Sequence, residues 1–458
     1  MLAHATNIVP YLEDSSGYRG DAEQVFLPSN LDELGELVRD ASSHRIPVSV
    51  AGAGTGLTGA RVPHGGWVIS LERFRSLEIH PGKARCGAGL SLTDLHAAAA
   101  KAKQFFGPNP TEASASIGGV ISTNAGGARS FHYGSVRRHV LALEVMLMDG
   151  RILRVKRGDR VDFPVRTIHM PATTKNSAGY YLKPDLEWVD LFPGSEGTLG
   201  IVTEAELKLF PEPSAILSGI VFFPSDHHAL SAVEAWRGMP ELRFLEFIDG
   251  NSLALLRPRY PEIPADAAAA LLIEQNLQSE GDDEVDLWTT RLSQADALEE
   301  ESWFGFTTAD RERFREFRHT LATTTVDLTR RNGFPRYGTD FAVPLDKFRD
   351  LYAYYVRRCD EVLPGQYVIF GHVGDANVHV DTVPASAEQA KAVAELMLEL
   401  ARYVVSLGGT VAAEHGIGKL KTGLLKLMYS PEEIDAMRDV KRRLDPQWLL
   451  GRGTIFEV

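Results

Sequence analysis

Four glycines stand within eight residues in Gly52-Ala-Gly-Thr-Gly-Leu-Thr-Gly59, directly after the short apolar run Pro47-Val-Ser-Val-Ala51. Glycine reaches backbone conformations closed to other residues, yet it loses more entropy on folding than any of them. A strand running into such a loop brings its backbone close to a ligand. Successive N–H groups there form a concave anion site, and Thr55 and Thr58 add hydroxyl donors. A diphosphate suits that chemistry. No Rossmann helix is expected after it, because Val62-Pro63 breaks the segment. Alone, the loop reads equally well as an ordinary turn.

Two further segments shift that balance. Ile117-Gly-Gly-Val-Ile-Ser-Thr-Asn-Ala-Gly-Gly127 follows Gly107-Pro-Asn-Pro110, and Pro193-Gly-Ser-Glu-Gly-Thr-Leu-Gly-Ile-Val-Thr203 comes later. Three such loops in one domain are costly unless a large, polar, extended ligand runs past them. Between them the pattern alternates. Helices are expected from Leu31 to Ser43 and from Leu92 to Lys103. Strands are expected at Trp67–Leu71, Leu141–Met148 and Ile201–Leu207. This is an α+β texture. Pro211-Glu-Pro213 marks a boundary. Beyond it, amphipathic helices at Ala229–Trp236 and Glu388–Leu407 and strands at Leu271–Gln275 and Tyr367–Gly371 imply a sheet covered by helices.

Composition excludes several classes. The chain of 458 residues carries 61 acidic and 48 basic side chains, a net charge of −13. Phosphate backbones need a basic surface, so nucleic acid is not the expected partner. No apolar run approaches the roughly 20 residues of a membrane span. The first residues lack a positive region followed by an apolar core, so no signal peptide is expected. Cys86 and Cys359 form no CxxC pair for a metal or cluster, and they read as buried small hydrophobes. A cytoplasmic, reducing compartment fits, with membrane association only through a partner.

The three glycine segments, in this order, resemble the FAD-binding domain of the vanillyl-alcohol-oxidase or p-cresol-methylhydroxylase (PCMH) type. The resemblance implies that Gly52, Gly54, Thr55, Gly56, Leu57, Thr58 and Gly59 hold the cofactor diphosphate. It also implies that Pro110, Gly118, Thr123, Asn124, Gly126 and Gly127 line the cofactor, with Glu196 and Ile201 further along it. Several relatives attach FAD through a histidine in the first loop. This loop has none, and His64 lies beyond Pro63, so non-covalent FAD is expected. Asn109 stands between two prolines where relatives often have aspartate.

Gly371-His-Val-Gly-Asp-Ala-Asn-Val-His-Val380 places two histidines seven apart. Strict alternation would put them on opposite faces of one strand. A hairpin with Asp375-Ala376 as its two-residue loop would instead pair His372 with His379 on one face, near enough to share a metal. Ala376 is an awkward residue for that loop. Ala413-Glu-His-Gly-Ile-Gly-Lys419 offers Glu414 as a third ligand and His415 as an adjacent base.

These two segments resemble the C-terminal half of the D-lactate, glycolate and D-2-hydroxyglutarate dehydrogenase branch. The resemblance implies His372, His379 and Glu414 as metal ligands, Asn377 against the substrate, and His415 at the reacting carbon. Zinc suits two histidines and a carboxylate, and so do manganese and iron(II). Phe314-Arg-Glu-Phe-Arg-His-Thr320 resembles the branch's substrate-carboxylate region. Arg318 is the expected grip and Arg315 the alternative.

The architecture so implied is α+β. Residues 1–213 form a two-part FAD-binding domain. Residues 214–415 form a substrate (cap) domain with an antiparallel sheet and the metal site. Residues 416–458 form a helical segment returning to the FAD domain. The expected activity is oxidation of a small D-2-hydroxy acid by hydride transfer to flavin N5. Hydroxyglutarate enzymes of the branch tend to carry lysine two residues before the aspartate of Tyr337-Gly-Thr-Asp-Phe-Ala-Val-Pro344. Gly338 stands there with Arg336 nearby, which leans the expectation toward D-lactate. The alternatives are D-2-hydroxyglutarate, glycolate, and a metal-independent flavin alcohol oxidase. Electrons would pass to a quinone, an electron-transfer protein or an iron–sulfur subunit. A homodimer is the base-rate expectation.

Overall fold

The computed structural model describes residues 3–278 and 282–457. It begins with a three-stranded parallel sheet in which Trp67–Ser70 lies between Gln24–Phe26 and Val48–Ala51. The helix Leu31–His44 covers it. Asn30 caps that helix by accepting from the Glu33 N–H, and Arg45 ends it in a left-handed conformation. Leu34, Leu37, Val38 and Ala41 recur at helical spacing and bury against Val48, Trp67 and Ile69.

A second, antiparallel sheet has the order Leu77–His80, Lys83–Gly87, Ile201–Pro211, Val140–Met146, Ile152–Lys156, with Gln104–Phe106 also paired to Ile201–Pro211. The segment after Ser116 differs from the expected loop. Ile117–Ser122 forms a short helix, because the Ser116 side chain accepts from the Gly119 N–H and starts the turn.

The strand Ile201–Pro211 ends this sheet's share of the chain, and the next strand begins at Ala215. A seven-stranded antiparallel sheet follows, in the order Trp303–Gly305, Ala215–Phe223, Ala269–Leu277, Leu242–Asp249, Tyr367–Gly371, His379–Thr382, Tyr337–Gly338. Helices cover both faces. Asp226–Trp236, Phe348–Val362 and Ala387–Ser406 pack on the side of Leu245, Phe247 and Ile369. Gly250–Leu256 and Thr308–Asn332 pack on the side of Ile248, Val368 and Phe370. Strand alternation decides which residues meet which helices. Glu246 shares its face with Ile248 and so lies under Thr308–Asn332.

The hairpin register differs from expectation. Phe370, not His372, pairs with His379, and Ile369 pairs with Val380. The strand stops at Gly371. A 3-10 turn over Val373–Asp375 follows, closed by Ala376 at φ 50°. The reversal therefore takes more residues than a two-residue loop, with Ala376 in the left-handed region that glycine usually fills.

The last helices, Thr422–Met428 and Pro431–Leu444, carry the chain back to its beginning. Val48 donates to the Leu449 carbonyl and accepts from the Gly451 N–H. The buried Lys441 ammonium donates to the carbonyls of Thr198 and Leu450 and to Asp445. Among the described residues no helix is long and apolar enough to cross a membrane. Both cysteines are buried and unpaired.

Candidate active site

A long cleft runs along the N-terminal part of the chain, with about 1390 Å³ of empty space including its open mouth. Residues from all three glycine segments line it, as an extended ligand requires. Of the expected cofactor residues, Gly52, Gly54, Thr55, Gly56, Leu57, Thr58, Pro110, Gly118, Thr123, Gly126, Glu196 and Ile201 line it. Gly59, Asn124 and Gly127 stand behind its wall. Gly59 donates its N–H to Asp14. Asn124 accepts from the Arg137 N–H and donates to the Asn176 carbonyl. Gly127 has φ 104° and passes so close to the Asn109 carbonyl that no side chain fits.

The first loop has the chemistry of a diphosphate cradle. The backbone N–H groups of Gly54, Thr55, Gly56, Leu57 and Thr58 make no hydrogen bond with the described residues. Arg61, which also lines the cleft, ties the loop to the chain before it by binding the carbonyls of Pro10, Glu13 and Gly52. The free N–H groups thus fit the FAD diphosphate. The Thr58 hydroxyl is not free for it, since it donates to the His415 carbonyl. His64 hydrogen-bonds Tyr18 and does not line the cleft.

At one end of the cleft the wall is Glu414 and His415. Behind it, His372, His379 and Glu414 bring one ligand atom each within 4.8 Å of one another. His372 Nε2 lies 2.8 Å and His379 Nε2 3.7 Å from Glu414 Oε1. His379 Nδ1 is 2.9 Å from the Thr339 carbonyl. That contact places the proton on Nδ1 and leaves Nε2 as a lone-pair donor. The donor set fits a divalent metal. The His415 ring stacks on His379 at 5.4 Å.

Three acidic or basic residues to which the sequence assigned no role in the cluster complete it. Lys175 is fully buried, with its ammonium 3.1 Å from Glu414, 3.3 Å from Asn377 Oδ1 and 3.4 Å from Asp375. Burial opposes its charge, but Glu414 and Asp375 outweigh that and raise its pKa. Glu414 is driven the other way. Burial raises it, and His372 and Lys175 hold it well below the usual carboxylate range. Asp340 accepts from the backbone N–H groups of Glu414 and His415 and so orients both side chains. Glu246 lies 2.6 Å from His372 Nδ1 and 2.8 Å from Arg318 Nε. A signal for Glu246 existed, because an acid flanked by Phe244, Leu245, Phe247 and Ile248 in a strand must find a partner when buried.

The structure separates the remaining candidates. Arg318 is nearly buried and reaches Glu246, whereas Arg315 points outward and pairs with Glu312. Asn377 does not open to the cleft. Its amide donates to the Phe341 carbonyl and accepts from Lys175, so it braces the ligand hairpin.

Residues 212–455 match the family described as FAD linked oxidases, C-terminal domain, and residues 22–156 match an FAD binding domain. The chain belongs to the FAD-linked oxidase family. As a member it is an FAD-dependent oxidoreductase. A D-lactate dehydrogenase of Archaeoglobus fulgidus is 32% identical, over 94% of this chain and 90% of that protein. The glycolate oxidase subunit GlcD of Bacillus subtilis is 30% identical, over 99% of this chain and 93% of its own length. An alkyldihydroxyacetonephosphate synthase structure superposes with a TM-score of 0.68 over 95% of this chain and 76% of that one. Its 16% identity makes that a likeness of fold.

Proposed function

We propose that this FAD-linked oxidase oxidises a small D-2-hydroxy acid, D-lactate foremost, to the 2-oxo acid, with a divalent metal beside the flavin. One observation carries the proposal. Two histidines and a glutamate converge where Glu414 and His415 form the wall of the glycine-lined cleft. The names of the relatives, a D-lactate dehydrogenase and a glycolate oxidase subunit, support the substrate class. We assign residues 1–213 to FAD binding, 214–415 to the substrate and metal, and 416–458 to the returning helical segment.

FAD held by Gly54, Thr55, Gly56 and Leu57 would supply the acceptor for the hydride of substrate C2. His372, His379 and Glu414 would hold a divalent metal, with zinc preferred over manganese or iron, and the metal would supply Lewis-acid stabilisation of the substrate oxygen. The protein does the rest. Arg318 uses only Nε on Glu246, and its two terminal nitrogens make no hydrogen bond with the described residues. They are shaped to grip the substrate carboxylate. His415 takes the hydroxyl proton. Burial pushes its pKa down to about 4, while Asp340 pulls the other way, so the imidazole is neutral near pH 7 and has a lone pair for that proton.

The corner around Gly338 supports a short substrate. Gly338 pairs with Asp381, and the Asp381 carboxylate fills the space where a side chain at 338 would begin. Arg336 is tied to that carboxylate at 3.3 Å. A second substrate carboxylate would find Arg336 already engaged by Asp381. Electrons leave to a quinone, an electron-transfer protein or a separate iron–sulfur subunit, since the chain's two cysteines cannot hold a cluster.

Anaerobic bleaching of the flavin by D- and L-2-hydroxy acids, before and after chelation, tests the proposal. Bleaching by D-lactate that stops on chelation and returns with a divalent metal supports it. Bleaching that survives complete metal removal overturns the metal's role. A flavoprotein that no 2-hydroxy acid bleaches overturns the substrate class.

A further inference from the structure

We propose that Glu246 is the positioning residue that joins the two ends of this site, holding the metal-ligand His372 with one carboxylate oxygen and the substrate-binding Arg318 with the other. The proposal rests on the metal and substrate assignments above. Glu246 sits in the middle of the strand Leu242–Asp249, on the face roofed by the helix Thr308–Asn332. Its side chain is only 3% exposed. A carboxylate so deeply buried persists as an ion only if donors repay the lost hydration. Two groups do so. Oε2 is 2.8 Å from Arg318 Nε, and Oε1 is 2.6 Å from His372 Nδ1.

The contact with His372 is a close charge contact rather than a well-aligned hydrogen bond. Its chemical effect is nonetheless definite. Glu246 is the negative group facing Nδ1, so it draws the imidazole proton to that nitrogen and leaves Nε2 directed at Glu414 Oε1, 2.8 Å away. His379 has its own Nδ1 partner in the Thr339 carbonyl. Each metal-ligand histidine therefore has an outer partner. Only that of His372 is charged, and only that one also reaches the substrate side.

Arg318 is fixed by the same carboxylate. It follows Phe317 on the helix and shares a stripe with Phe314 and Leu321, both buried against the sheet. Its guanidinium lies 5.2 Å from the Phe370 ring. The strand thus delivers one acid to a helix arginine and a turn histidine at once. Metal affinity and substrate affinity are coupled through this acid.

Titration of demetallated, FAD-loaded protein with Mn²⁺, followed by the loss of the free-ion EPR signal, tests this without turnover. Glu246→Gln keeps the shape and removes the charge. It is expected to weaken Mn²⁺ binding about 10–100-fold, the usual cost of losing a ligand's outer partner, and to raise KM for D-lactate more than it lowers kcat. Glu246→Asp, which keeps the charge with shorter reach, is expected to recover part of both. Should E246Q fold poorly because Arg318 is left unpaired, E246Q/R318M removes both charges and reads the His372 effect alone.

Wild-type Mn²⁺ affinity in E246Q and in the double variant overturns the role of Glu246 while the metal site stands. Wild-type protein that binds neither Mn²⁺ nor Zn²⁺ overturns the metal reading itself, and this proposal with it.

Discussion

Glu196 accepts a 2.8 Å hydrogen bond from the Ile417 N–H, and its other oxygen accepts an equal one from Gly418. One carboxylate from the third glycine segment thereby anchors the loop that carries Glu414 and His415. Gly416 lies against it with φ 79°, leaving no room for a Cβ. The cofactor cleft and the ligand cluster are held in register by this contact.

Replacing Glu196 tests that anchoring. Glu196→Gln keeps one acceptor and loses the other, at a cost of about 1–3 kcal/mol, and Glu196→Ala costs roughly double because two buried N–H groups lose their partner. Thermal unfolding of the FAD-loaded variants reads this directly. Both are expected to release FAD faster on dilution than the wild type. An unchanged Tm in E196A contradicts the anchoring role.

Lys175→Met leaves Glu414 and Asp375 without their buried cation. Breaking a buried ion pair from one side costs about 3–5 kcal/mol. The Tm of the demetallated variant is expected to fall accordingly. Added Zn²⁺ or Mn²⁺ should raise the Tm of K175M more than that of the wild type, since the ion then offsets the same carboxylates. Equal metal-induced shifts in the two proteins contradict the pairing.

Asp381→Asn removes the negative charge beside Gly338 and frees Arg336. The kcat/KM ratio for D-2-hydroxyglutarate over D-lactate is expected to rise about tenfold, which corresponds to about 1.4 kcal/mol. A ratio that does not move shows that this corner does not select for substrate length.

Stability should fall on the acid side through His139. This side chain is 1% exposed, and burial pushes its pKa from 6.5 down to about 4. Below pH 6.5 the unfolded chain binds a proton that the folded chain refuses. Stability is therefore full above about 6.5 and declines as pH falls toward 4, by about 3 kcal/mol at 1.36 kcal/mol per pKa unit. His139→Gln is expected to flatten that slope in urea unfolding measured between these limits. An unaltered slope assigns the acid sensitivity elsewhere.

Local chemistry was legible in the chain itself. Apolar periodicity marked Leu31–His44 and Tyr367–Gly371 within a residue, because neighbours a few positions apart decide helix or strand. The glycine segments announced a cleft, because few other sequences tolerate such backbone approach. The two histidines and Glu414 could be named from their motifs. Long-range placement could not. The His372–His379 pairing was misjudged because the 3-10 turn closed by Ala376 owes its left-handed residue to packing in a fully buried hairpin. Lys175 stands 239 positions from Glu414, and Glu246 stands 72 from Arg318. Nothing in either residue's neighbourhood specifies its partner. Sheet register and the helix roof bring them together, and burial then requires that the charges pair.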